Sequence, residues 1–321
     1  MVLKQKRRRK KVLITGGTGF IGSNFVYKFL ELGYDVHLLV RSESNFWRIA
    51  PIKKKVKLHY TDLCNAEEAN KLIKKLKPQI ILHFAAYGAY QRKQQDIALT
   101  INTNLLGTIN LVNALSEIKF DCFIYTGSSS EYGIKNKLMK EIDILEPVNL
   151  YGITKAAGTM YCQYMSRKFN LPIVIMRPFA VYGYFEDQDR LIPTIIKNNL
   201  TNTKLNLSNP NFVRDFIFIE DIIDAYLKAI KKIKKIKGEI FNLGTGKQFK
   251  IDEVANLVKK IAHSYTEFCY GKVAPVQLEP KIWVADISKA KKLLNWRPKY
   301  NLEEGLRKDI DWFRKNLLLY K

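Results

Sequence analysis

Cysteine and histidine are scarce in this chain and widely scattered. Cys64, Cys122, Cys162 and Cys269, with His37, His59, His83 and His263, form no short paired spacing. That argues against a zinc site or a disulfide framework and suits inert thiols in a reducing, cytoplasmic setting, so no metal is expected. Long apolar runs are missing as well. Only Val12 to Thr15 separates the basic N-terminal residues from a glycine-rich stretch, which is far short of the ~20 apolar residues of a membrane-spanning helix and unlike a secretory signal. Internal repeats and long linkers are also lacking. Acidic residues are in deficit, 30 against 54 Lys and Arg, for a net charge of +24. Such an excess raises the question of nucleic acid or a membrane surface. Much of it lies, however, in a basic tail over residues 1–10 and in Lys231 to Lys237. The latter reads as the last turns of a helix ending at Gly238, where cations oppose the negative end of the macrodipole. Neither nucleic acid nor a membrane is an expected partner.

The chain does have an apolar content of 47% over 321 residues, enough for a sizeable core. Short β-branched runs alternate with helical patterns: Val12 to Thr15, Tyr34 to Val40, Ile80 to Phe84, Cys122 to Thr126 and Ile173 to Arg177. This order predicts an α/β fold, a Rossmann-type doubly wound parallel sheet with a smaller C-terminal substrate-binding lobe. The expected boundaries are 11–176 for the sheet domain and 177–321 for the lobe, with 214–236 returning to the sheet domain.

The first strand runs into Gly16-Gly-Thr-Gly19-Phe20-Ile21-Gly22, and a helical pattern follows from Asn24 to Leu32. Strand, glycine turn and helix in this order make a dinucleotide site, with the phosphates facing the helix N-terminus. The next strand ends at Arg41-Ser42-Glu43, where NAD sites carry an acid for the ribose. A cation there suits a 2′-phosphate, so the expected cofactor is NADP, with Arg48 a second phosphate contact; Glu43 keeps NAD open.

A second group lies in mid-chain. Tyr151 and Lys155 are one helical turn apart, and Ser128 stands upstream in Tyr-Thr-Gly-Ser128-Ser129-Ser130-Glu131-Tyr132-Gly. Lys155 beside Tyr151 should favour the phenolate and lower its pKa, making a proton donor and acceptor for a carbinol oxygen.

Together with Asp62-Leu63, His83-Phe-Ala85-Ala86, Asn104-Leu-Leu-Gly-Thr108, Arg177-Pro-Phe-Ala-Val-Tyr-Gly183, Arg214-Asp-Phe and Asp286-Ile-Ser-Lys-Ala290, these motifs resemble the extended short-chain dehydrogenase/reductases, specifically the nucleotide-sugar epimerase/dehydratase family. The likeness runs from about Lys11 to Phe313. It implies Ser128, Tyr151 and Lys155 as the catalytic group, and a cofactor held by Gly16, Gly19, Phe20, Ile21, Gly22, Arg41, Asp62, Leu63, Ala85, Ala86 and Asn104 together with Tyr151 and Lys155, the last on the nicotinamide ribose. Ser129, Ser130 and Arg214 would meet the nucleotide-sugar substrate. It also implies a homodimer built on helices near 104–115 and 151–167, where Leu105, Ile109, Val112 and Leu115 form a stripe that a core-facing helix would share.

The 4,6-dehydratases of that family carry acids where this chain has Ser129 and Ser130, and serine cannot remove a carbon-bound proton. Glu131, one place on, would point to the other side of an extended segment. The run looks most like reductases of nucleotide-linked 4-keto-6-deoxy sugars. A 4-epimerase with a retained cofactor is the alternative, ahead of a dehydratase or a non-enzymatic dinucleotide-sensing or RNA-binding relative.

Overall fold

The computed structural model describes residues 9–89, 96–274 and 280–320; positions 1–8 of the basic tail lie outside them. In chain order the elements are β1 (Lys11–Thr15), α1 (Phe20–Glu31), β2 (Asp35–Val40), β3 (Lys57–Tyr60), α2 (Ala66–Leu76), β4 (Ile80–His83), α3 (Ile97–Ile101), α4 (Gly107–Ser116), β5 (Cys122–Thr126), α5 (Leu150–Phe169), β6 (Ile173–Pro178) and β7 (Ala180–Tyr182). There follow α6 (Leu191–Thr201), β8 (Leu205–Asn206), β9 (Val213–Arg214), β10 (Phe216–Phe218), α7 (Ile219–Lys232), β11 (Ile240–Leu243), β12 (Phe249–Lys250), α8 (Ile251–Ala262), β13 (Phe268–Cys269) and α9 (Leu302–Asn316).

Seven of these strands make one parallel sheet in the order β11-β6-β5-β4-β1-β2-β3. Both faces are covered over the central strands, which is why β1, β4, β5 and β6 are largely apolar without alternation, whereas the edge strand β3, Lys57-Leu-His-Tyr60, is exposed or half-buried. Val12, Ile14, Leu38 and Leu82 face one buried cluster, Leu13, Leu39 and Ile81 the other. Strand order reverses between β1 and β4, which pair directly from Val12↔Ile80 to Thr15↔His83. Ligand crevices of open α/β sheets form at such reversals, beyond the carboxyl ends of the strands.

The sheet reclaims more chain than the 214–236 segment expected to return, because β11 pairs with β6 as the edge strand. The Lys231 to Lys237 run is not one helix end. α7 stops at Lys232 and a 3₁₀ turn, Ile233–Lys235, follows, since the chain must turn to bury Ile233 and Ile236. Two lysines of this region cap carbonyls elsewhere: Lys228 reaches Asn295 O at 2.8 Å and Lys232 reaches Leu293 O at 3.0 Å. Lys10, at the end of the tail, pairs with Asp121 at 2.7 Å.

Outside the sheet, β9 pairs with β12 and β8 with β13, and Asn206 of β8 and Arg214 of β9 form part of one cleft wall. A buried carboxylate fixes that wall. Asp215 accepts from Thr245 N and Oγ1 at 2.7 and 2.6 Å, from Gly246 N at 3.0 Å and from Ala285 N at 3.1 Å.

Candidate active site

The glycine turn works by close approach of backbone. A Cβ at Gly22 would fall 2.2 Å from Gly16 O, so α1 can start this tightly against β1 only with glycine there. Gly19 caps α1 with no side-chain bond, and no acid occupies the first turn. The amides of Phe20, Ile21 and Gly22 therefore lack acceptors from the helix and face a cleft. These residues fit a dinucleotide pyrophosphate.

The cleft has a volume of about 780 Å³. Gly16, Gly19, Phe20, Ile21, Gly22, Ala86, Ser128, Ser129, Ser130, Tyr151, Lys155 and Arg214 all line it, so the two separate sequence groups do meet in space. Asn149 starts α5 by accepting from Gly152 N at 2.8 Å, which puts Tyr151 in the first turn. The Ser128 hydroxyl lies near the Tyr151 phenol and favours its ionised form.

The electrostatics differ from the sequence expectation. Burial pushes the Tyr151 phenol up to about 12, and the cation that opposes this is Arg190, aided by the Ser128 hydroxyl. Lys155 is not the tuning charge here. Its ammonium lies 4.5 Å from the centre of the Tyr125 ring, and burial lowers it to about 8.

Five expected cofactor residues stand behind or outside the cleft lining. Arg41 is exposed and paired with Glu43 at 2.9 Å. Asp62 caps its own turn, accepting from Cys64 N at 2.9 Å, and Leu63 is buried with its carbonyl bonded by Asn110 at 2.9 Å. Ala85 donates its N–H to Thr15 Oγ1 at 3.2 Å. Asn104 accepts from Tyr87 N at 2.7 Å and donates to Tyr87 O at 2.9 Å and Thr154 Oγ1 at 3.0 Å. Arg48, expected as a second phosphate contact, donates to Phe185 O at 2.8 Å and pairs with Asp187 at 2.7 Å.

Asn104 belongs to a longer relay. Thr108 Oγ1 donates to Asn104 O at 2.6 Å, so it accepts from His83 Nε2 at 3.0 Å, and His83 Nδ1 accepts from Thr15 Oγ1 at 2.7 Å. Thr154 Oγ1 donates to Tyr151 O at 2.9 Å. Burial lowers His83 to about 3, so it is a neutral strut rather than a base.

The segment after Ser128 is not extended. Ser129–Glu131 is a 3₁₀ turn, so alternation does not decide where Glu131 points; its buried bonds to Ser128 N and Arg177 do. Arg214 lines the cleft with its guanidinium donating to Val213 O at 2.7 Å and lying 5.6 Å from the Trp283 ring centre. Sequence reasoning missed Asn149, Glu186, Asp187, Asp189, Arg190 and Trp283 as cleft residues. A signal for some existed in the charge cluster Glu186-Asp-Gln-Asp-Arg190 just before a helical run.

Fold and cleft together define a dinucleotide-dependent enzyme of the doubly wound α/β class. The chain belongs to the NAD dependent epimerase/dehydratase family, whose profile matches residues 12–244. It is 30% identical to human dTDP-D-glucose 4,6-dehydratase over 97% of this chain and 92% of that protein. Among solved structures it is similar to UDP-glucose 4-epimerase of Thermotoga maritima with UDP-glucose (TM-score 0.87, 27% identity, 96% and 99% of the two chains). It is also similar to UDP-glucuronic acid 4-epimerase of Bacillus cereus with UDP-glucuronic acid and NAD (TM-score 0.84, 29% identity, 95% and 99%). The chain is therefore an enzyme of the NAD-dependent nucleotide-sugar epimerase/dehydratase class.

Proposed function

We propose that this enzyme is a nucleotide-sugar 4-epimerase that retains NAD through the reaction. The observation that carries this is the joint placement of Ser128, Tyr151 and Lys155 in one cleft with no carboxylate on the Ser128 turn free to act. Ser129 and Ser130 face the cleft in the positions where a dehydratase needs acids, and Glu131 is locked against Arg177. On that turn, elimination of water has no carboxylate to serve as base.

The reductase reading rested on the likeness of the Ser128 to Tyr132 run to sugar reductases and on Arg41 with NADP. A 2′-phosphate would have to displace Glu43 from Arg41, leaving a carboxylate beside it, whereas NAD meets no such conflict. The two epimerases similar to this chain add support. Bound over the glycine turn, NAD supplies the hydride acceptor and donor. Tyr151 takes the proton of the sugar hydroxyl and later returns it, while the Ser128 hydroxyl bonds the same oxygen. Lys155 keeps the site positive, and Arg214 offers a guanidinium to the diphosphate.

The same reading includes a homodimer. Val112 and Leu115 of the expected stripe are buried in the core, but Leu106, Ile153, Met160 and Tyr164 are exposed on the same helical layer. A monomer by light scattering refutes that part.

The test of function is incubation of the pure protein with NAD and UDP- or dTDP-linked hexoses and hexuronates, with products separated by chromatography. Interconversion of C4 epimers without net change in nicotinamide absorbance supports the epimerase. Stoichiometric NAD(P)H oxidation with a 4-keto sugar restores the reductase, and a 4-keto-6-deoxy product restores the dehydratase.

A further inference from the structure

Glu131 lies one tight turn from Ser128, is fully buried, and takes no part in the proton transfers described above. Both of its oxygens are engaged. Oε1 accepts the Ser128 N–H at 2.8 Å and Oε2 accepts the Arg177 Nε–H at 2.7 Å. Ser128 Oγ in turn accepts the Ser130 N–H at 3.1 Å, so the turn closes as a reciprocal cap. Arg177 continues to Tyr132 Oη at 3.0 Å, and that hydroxyl donates to Asn242 Oδ1 at 2.6 Å. The turn is thus tied to β6 and β11, two strands of the rigid sheet. Gly127 makes room for it, since a Cβ there would fall 2.3 Å from Glu131 Oε1.

A buried ion pair is a poor device for stability, because desolvation offsets most of the attraction and apolar residues of like volume do as well. What this pair does supply is geometry. One lone pair of the Ser128 hydroxyl is occupied by Ser130 N–H, which leaves its proton and second lone pair for Tyr151 and for a sugar oxygen.

We propose that Glu131 is a positioning residue: braced on Arg177, its carboxylate fixes the Ser128 backbone so that the hydroxyl stays turned toward Tyr151. This deepens the reading of the site given above and rests on Ser128 bonding the reacting oxygen. Glu131→Gln keeps the shape but offers one acceptor and one donor where two acceptors are needed. Whichever way the amide turns, its NH₂ meets the N–H of Ser128 or of Arg177.

A double-mutant cycle on the full chain tests this, using the nucleotide sugar the wild type turns over. The expected result is a fall in kcat of about ten- to hundredfold for E131Q, the scale of a misplaced reacting group, with KM little changed. In an S128A background the same substitution costs nothing further. The pair E131Q/R177M, which removes both charges, recovers thermal stability but not kcat, and it carries the test where E131Q alone does not fold. An equal loss in the S128A background, or recovery of kcat in E131Q/R177M, overturns the proposal and leaves Glu131 a counter-ion. A readout without substrate separates this from the wider reading. With ¹⁵N-serine labelling, the Ser128 amide should lose its protection from hydrogen exchange in E131Q or E131Q/R177M; an unchanged Ser128 amide sinks the positioning role even if epimerisation is observed. A wild type that interconverts no nucleotide sugar refutes the function alone.

Discussion

The two walls of the cleft are built from different materials. Under the glycine turn the wall is backbone, and the polar side chains behind it, Thr15, His83, Asn104 and Thr108, are buried and bonded to one another. Elsewhere the wall is side chain: Glu186, Asp187, Arg190 and Arg214, paired or stacked. A backbone wall recognises what every dinucleotide shares and tolerates little change. A side-chain wall can be retuned residue by residue, and substrate choice belongs there.

Substitutions can break this contrast, and the largest effect should fall between the walls. Tyr151→Phe removes the proton donor while leaving both walls intact. Turnover should fall by about 10²- to 10⁴-fold, with NAD affinity preserved in a fluorescence titration. On the side-chain wall, Arg214→Met should raise KM for the nucleotide sugar roughly ten- to hundredfold, from the loss of charged hydrogen bonds worth about 1.5–3 kcal/mol. Steady-state kinetics should find kcat nearly unchanged; an unchanged KM would remove Arg214 from the diphosphate. On the backbone wall, Gly22→Ala should cost about 1–3 kcal/mol of stability through overpacking and weaken NAD rather than sugar binding, as calorimetry can measure.

How much of this was legible beforehand follows the same division. The glycine turn and the strands under it were readable because backbone approach demands particular residues at particular spacings, as Gly22 against Gly16 illustrates. Ser128, Tyr151 and Lys155 were readable as a group, but not their charges. Burial of the phenol outweighs its neighbours, and the opposing cation, Arg190, lies 39 positions from Tyr151. Arg41 and Arg48 show a related limit. Sequence reveals that a cation is present but not that Glu43 and Asp187 already hold it. The turn at Ser129–Glu131 escaped because its shape depends on Arg177, which arrives from another strand.

The smallest predicted effect concerns acidity on the side-chain wall. Burial pushes the Glu186 carboxyl up to about 8 from its ordinary 4.5. Between those values the folded chain keeps a proton that the unfolded chain has released, so stability falls as pH rises through the window. Glu186→Gln should flatten that slope and raise the melting temperature by a few degrees near pH 8 relative to pH 5. Equal slopes in both proteins would place the ionisation elsewhere.

The Asp215 carboxylate sets a timetable for synthesis. It neighbours Arg214, yet its donors come from residues 245, 246 and 285. As the chain emerges from the ribosome, the glycine turn and its strands are complete long before that carboxylate finds its last partner. A nascent chain halted before residue 285 should therefore already present a dinucleotide cradle while lacking a finished pocket for sugar.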